Sequence, residues 1–176
     1  MMKKFRIIFL FVLILGIFCS CSKSDNITDS SQSKEVEDYK TFSCKDYSLK
    51  YDDKLFTHIS EDGCELFVYN NKDEIRTGLK IEKIENTTVK ETVVEIEEEY
   101  EQKNYSDVSS DSSQTFNASE SKCVTAFADD GERIYESHVV AFSDGVYILE
   151  YNYSTNLDQI VVENALYATV SSFTLK

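Results

Sequence analysis

The stretch Lys122–Tyr153, KCVTAFADDGERIYESHVVAFSDGVYILEYNY, decides the fold. It holds three apolar-rich runs, 122–128, 133–142 and 146–153, split by Asp129-Asp130-Gly131 and Ser143-Asp144-Gly145. An Asp-Gly step between alternating runs is a strong hairpin signal, because both turn positions tolerate positive φ. The three runs therefore read as an antiparallel meander. Tyr147, Tyr151 and Tyr153 fall on one face at period two and are expected to fill a sheet core rather than line a groove.

C-terminal to the meander, Ser154 or Thr155 is placed to cap a helix whose apolar face is expected to be Leu157, Ile160, Val161, Ala165 and Ala168. Ser172, Phe173 and Leu175 then read as a short closing strand or tail. On the N-terminal side, the polar run Ser106–Ser121 (SDVSSDSSQTFNASES) is expected to begin as a mobile loop and to become a strand around Phe116 or shortly after. Before it, Val89, Val93, Ile96 and Tyr100 recur at spacings of four, three and four, the stripe of an amphipathic helix fading near Asn104. Thr88 and Glu91 make a capping box at its start.

Earlier still, Leu79 and Ile81 alternate within a strand spanning 75–84, paired with a strand at Cys64–Tyr69 whose Cys64, Leu66 and Val68 share a face. The two are joined through Asn70–Glu74, and Glu61-Asp62-Gly63 turns into the first. Phe42 and Cys44, then Tyr47, Leu49 and Tyr51, form an opening hairpin around Lys45-Asp46. Antiparallel strands crossed by two amphipathic helices define an α+β domain over residues 39–176.

Residues 1–38 are of another kind. Lys3, Lys4 and Arg6 precede an apolar run, Ile7–Phe18, which as a helix reaches only about 18 Å against a hydrocarbon core of about 30 Å. Residues 1–20 thus read as a signal peptide rather than a lasting membrane span. The run ends in Phe18-Cys19-Ser20-Cys21, which resembles a lipobox, with cleavage expected between Ser20 and Cys21 and lipidation on Cys21. One acyl chain binds a bilayer only marginally, whereas the two or three chains of a lipoprotein cysteine hold firmly. Residues 21–38 include SKSDNITDSSQSKEVED with only two apolar side chains, a composition that reads as a flexible tether. A coil of that length averages roughly 20–25 Å end to end.

Charge narrows the partners. The full chain carries −14; removing residues 1–20, with three basic and no acidic residues, leaves fifteen basic against thirty-two acidic and a net charge of −17. Such a fragment is repelled by nucleic acid and by anionic lipid head groups, so the expected partners are the membrane, through the lipid on Cys21, and an envelope protein, with no nucleic acid. The expected location is the cell membrane, facing outside the cytoplasm.

Site chemistry is sparse. The five Gly are isolated and no Gly-Lys-Ser/Thr element exists, which excludes a nucleotide loop. Glu91, Glu95, Glu97, Glu98, Glu99 and Glu101 lie along a helix and diverge, so they read as a solvated face rather than a calcium site. Asp129, Asp130 and Glu132 read as a hairpin turn. His58 and His138 are eighty residues apart, and Cys44, Cys64 and Cys123 lack the short spacing of structural zinc sites. His138 is therefore expected to be a packed or surface residue, and no metal, cofactor or catalytic residue is assigned. Any two of the three cysteines could form a disulfide.

In layout the chain resembles the PsbP-like family, named for an extrinsic subunit of photosystem II and including many bacterial lipoproteins. The resemblance rests on the opening hairpin Tyr39–Tyr51, the helix after the second strand pair, the strand Gly145-Val146-Tyr147-Ile148-Leu149-Glu150-Tyr151, and the closing helix ending in Ser172-Phe173. It implies a non-catalytic accessory or binding domain and transfers no functional residue. Taken together, the expectation is a membrane-anchored extracytoplasmic lipoprotein with a non-catalytic binding or accessory domain. The alternatives are a solute- or ion-binding lipoprotein, marked by a pocket of convergent polar groups, and a hydrolase, marked by a nucleophile beside a base such as Cys123 near His138.

Overall fold

The computed structural model describes residues 39–71, 77–113, 115–116, 121–128, 131–143, 145–155 and 159–176, all within the unit Val36–Lys176. The expected signal peptide, the cleavage and lipidation site at Ser20 and Cys21, and the tether lie outside these residues, as do Asp129, Asp130, Asp144 and Leu157.

Ten strands and two helices follow in the described chain. The meander is present as β7 (Ser121–Ala128), β8 (Arg133–Phe142) and β9 (Gly145–Ser154). It is the heart of a seven-stranded sheet ordered β3-β4-β5-β9-β8-β7-β6, in which β3 is Phe56–Glu61, β4 Cys64–Tyr69, β5 Gly78–Glu85 and β6 Ser106–Ser112. Every ladder is antiparallel. A second sheet, ordered β1-β2-β10, joins the opening hairpin β1 (Lys40–Ser43) and β2 (Tyr47–Tyr51) to β10 (Thr174–Leu175). With two helices, α1 (Val89–Gln102) and α2 (Gln159–Ser171), the protein is an α+β fold of antiparallel sheets.

Side-chain alternation in the central strands feeds two cores. From β9, Tyr147, Leu149, Tyr151 and Tyr153 point to one face, where they pack with Leu49 and Tyr51 of β2 and with Val162, Leu166 and Val170 of α2. Val146 of β9 and Val139 of β8 point to the other, beneath Val89, Val93, Ile96 and Tyr100 of α1. Helix α1 starts as its sequence dictates: Thr88 accepts from the Glu91 amide at 3.2 Å, and Glu91 Oε2 accepts from the Thr88 amide at 3.1 Å. It stops at Asn104, whose φ of +59° ends the helical run. At its C-terminal end the buried Tyr100 hydroxyl lies 2.7 Å from Ser137 Oγ and donates to Glu150 at 3.0 Å.

Three expectations are corrected. Ser106–Ser112 is a strand, not the start of a loop; Phe116 itself is not in a strand, and the strand expected there or shortly after is β7, from Ser121. Only Val108 in β6 is even half-buried, so its side chains carry no apolar alternation; backbone pairing with β7 makes it an edge strand, and a polar edge resists further pairing. Second, β3 has no counterpart in the sequence reading, because among its alternating Phe56, His58 and Ser60 only the first is a strong apolar signal. Third, α2 buries Val162, Ala165, Leu166, Thr169 and Val170, while Ile160 and Val161 are 71% and 52% exposed. The helix is apolar on most sides, so its own pattern does not select a face; the Tyr-rich surface of β9 does.

The corrected face has a direct consequence for stability. Leu166→Ala should cost about 2–5 kcal/mol in urea unfolding, as for other buried leucines, whereas Ile160→Ala should stay within about 0.5 kcal/mol. Equal losses at the two positions would contradict this packing.

Candidate functional site

The hairpin between β7 and β8 sets Cys123 directly opposite His138, and the next ladder sets Glu136 opposite Tyr151 of β9. Directly paired residues in a sheet stand about 4.5–5.5 Å apart at Cβ. Four polar side chains from three adjacent strands thus share a small patch on the face that carries α2.

Their functional atoms converge. Cys123 Sγ lies 3.9 Å and Glu136 Oε2 3.8 Å from His138 Nε2. These three donors all fall within 4.8 Å of one another. Each is held from behind: Ser113 Oγ lies 3.1 Å from His138 Nδ1, and the Tyr151 hydroxyl donates to Glu136 Oε2 at 2.6 Å. Thr125, two residues along β7, hydrogen-bonds Cys123. The imidazole is clamped between rings, stacked on Tyr151 at 5.8 Å and edge-on to Phe116 at 5.6 Å. A groove of about 340 Å³ adjoins the patch, lined by Phe116, Val140, Phe173 and Leu175 among others.

Burial sets the charge states. Desolvation pulls His138 down to about 4, so the imidazole is neutral near pH 7. Burial, reinforced by the Glu136 carboxylate, pushes the Cys123 thiol up to about 11. Glu136 is itself raised, by burial and by repulsion from Glu163 of α2, against the lowering effect of the Tyr151 hydrogen bond. The pair that would mark a hydrolase is thus brought together, but as neutral thiol beside neutral imidazole. A nucleophilic cysteine needs the thiolate, usually favoured by a nearby cation.

The other residues singled out in the sequence are dispersed. His58 in β3 contacts Glu65 Oε2 at 2.7 Å and packs on Phe42 and Phe67; Ser60 donates to the same carboxylate oxygen, so the acid, not the imidazole, is the shared acceptor. Cys44, Cys64 and Cys123 are free thiols in separate places, after β1, at the start of β4 and within β7. Glu95, Glu98, Glu99 and Glu101 face solvent on α1, and Glu132 is exposed beside Gly131. Tyr147, Tyr151 and Tyr153 are 2–4% exposed and belong to the core.

Glu136, Tyr151 and Ser113 are the members that sequence reasoning did not find. A usable signal existed for the first pair of the cluster: Cys123 lies as far before Ala128 as His138 lies after Arg133, and a hairpin closed there must face one to the other. Ser113 carried no such signal, because it follows a strand that only backbone pairing defines.

No family model and no curated protein matches the sequence. The fold nevertheless has solved counterparts, and it is the PsbP-like α+β fold. The solution structure of cyanobacterial PsbP from Synechocystis sp. PCC 6803 superposes with a TM-score of 0.56 at 10% identity, covering 85% of this chain and 99% of that one. A Bacteroides thetaiotaomicron crystal structure aligns at a TM-score of 0.44 and 10% identity, over 74% of this chain and 45% of that one. Among the described residues no helix is long and apolar enough to cross a membrane.

Tyr151 couples this patch to the core, and its removal should be felt. Tyr151→Phe keeps the ring and deletes the donor to Glu136, so at pH 7 a loss of about 1–3 kcal/mol is expected in chemical denaturation. Tyr153→Phe, tested in the same way, serves as the comparison for loss of a neighbouring hydroxyl.

Proposed function

We propose that this chain is an extracytoplasmic lipoprotein, anchored through lipid on Cys21, whose PsbP-like domain is a non-catalytic binding or accessory module for an envelope protein. The anchoring half of this reading is supported by the basic n-region, the twelve-residue apolar run and the Ser20-Cys21 step. The domain's own geometry is the observation that carries the non-catalytic half: Cys123 Sγ stands 3.9 Å from His138 Nε2 with the Glu136 carboxylate, not a cation, in the same cluster, the reverse of what favours a thiolate nucleophile. The likeness to cyanobacterial PsbP supplies the fold alone.

A solute-binding role is the second reading, favoured by the groove of about 340 Å³ beside the polar patch. The two readings predict different co-purifying material. Crosslinking of intact cells should recover a defined envelope protein with the tethered domain; recovery of a single small metabolite instead would favour the second reading, and ester or amide turnover abolished by Cys123→Ser would overturn both.

The anchor has its own test. Cys21→Ser should move the protein from the membrane pellet to the soluble extracytoplasmic fraction, and mass spectrometry of the native product should show an acylated Cys21. Retention of the variant in the pellet would refute lipid anchoring.

A further inference from the structure

We propose that Cys123, Glu136 and His138 form a three-ligand site for a divalent transition-metal ion of the zinc type, with a fourth position left for water or a small ligand. The inference rests on how these donors are arranged, and it stands apart from the anchoring reading.

Sulfur, imidazole nitrogen and carboxylate oxygen are the donors that zinc takes, at about 2.3, 2.0–2.1 and 2.0–2.2 Å. In a tetrahedron those bonds place ligand atoms roughly 3.3–3.6 Å apart. The observed separations are 3.9 Å from Sγ to Nε2 and 3.8 Å from Nε2 to Oε2, with all three donors within 4.8 Å of one another, so closing on an ion requires a few tenths of an ångström at the two Nε2 pairs and up to about 1.2 Å between sulfur and carboxylate. The Nε2–Oε2 separation is too long for a hydrogen bond, which in proteins spans about 2.7–3.2 Å. The Sγ–Nε2 contact at 3.9 Å is a long sulfur hydrogen bond, so the three donors face a common point and are only weakly bonded to one another.

The supports behind the donors fit the same purpose. Metal-bound histidines usually give their second ring N–H to a fixed partner, which sets the ring's orientation. Here Nε2 faces the other donors and Nδ1 faces Ser113 Oγ at 3.1 Å. The Tyr151 hydroxyl donates at 2.6 Å to Glu136 Oε2, the oxygen that faces Nε2, leaving that oxygen a second lone pair for an ion, and ring packing from Tyr151 and Phe116 holds the imidazole plane. All three donors come from adjacent rigid strands, so little ordering remains to be done on binding.

Charge selects the ion. One thiolate, one carboxylate and one neutral imidazole carry −2, which a divalent cation cancels in a half-buried site. Binding breaks the Cys123 S–H bond, forms an S–metal bond and releases the proton to solvent, without any redox change. A thiolate and an imidazole disfavour calcium and magnesium, which prefer all-oxygen shells. The short-spaced cysteine and histidine motifs of zinc sites are absent from the sequence because this site is assembled across a β-ladder.

The test uses the full-length protein, stripped of metal by a chelator and titrated with Zn²⁺ by calorimetry and with Co²⁺ by absorption. One ion per chain is expected, with a thiolate-to-cobalt charge-transfer band that Cys123→Ser abolishes and Cys64→Ser retains. His138→Gln should weaken zinc binding at least tenfold. In the unmutated protein, Zn²⁺ should protect Cys123 from alkylation, read by mass spectrometry, while Cys44 and Cys64 stay reactive; this arm decides the matter even where a variant fails to fold. Absence of stoichiometric binding, survival of the cobalt band in Cys123→Ser, or protection of another cysteine in place of Cys123 would overturn the site. None of these outcomes depends on whether Cys21 is lipidated.

Discussion

The ladder between β8 and β9 is the constraint on which the rest depends. Its register runs unbroken from Arg133 opposite Ser154 to Phe142 opposite Gly145. Because side chains alternate, each strand serves both faces, and a slip of one residue would turn Tyr147, Leu149 and Tyr151 away from α2 and carry Val146 out from under α1. Gly145 fixes the end of this register from the other side. A Cβ there would overlap the Ile84 carbonyl oxygen of β5, so β9 can come this close to its second neighbour only with glycine at its first residue.

Much of this was legible in the sequence, where local chemistry and the final structure agree. The antiparallel order of the meander, the Thr88–Glu91 capping box and the four-three-four spacing of α1 are each decided within a few residues, and each is found in the fold. Legibility fails where the deciding interaction is remote. Strand β6 is written in serine and aspartate and exists because β7 offers its backbone; α2 is apolar nearly all round and takes its orientation from β9. Side-chain patterns report neither a neighbour's hydrogen-bonding edge nor the shape of the surface on which a helix lands.

The polar patch around His138 shows the same limit at the level of a site. Its members are separated by up to thirty-eight positions, from Ser113 to Tyr151, and only the stacking of three ladders assembles them. Counting distances between histidines or between cysteines along the chain cannot detect such a cluster. Pairing residues across the expected hairpin can, since the turn that was readable also dictates which residues face one another.

A comparison inside the molecule separates structural polarity from polarity with another use. On the α1 face, Tyr100, Ser137 and Glu150 also form a buried polar group, but its members bond one another at 2.7–3.4 Å and thereby pin the helix to the sheet. That network is complete in itself, which is what a stable interior demands of polar groups. On the α2 face Cys123 Sγ and Glu136 Oε2 stand 3.9 and 3.8 Å from His138 Nε2, and only the long sulfur contact joins that nitrogen to a hydrogen-bond partner. Valine or threonine at these strand positions would satisfy the core at less electrostatic expense. Three convergent donors in a sheet that has no packing need for them are best understood as ligands for something that enters between them.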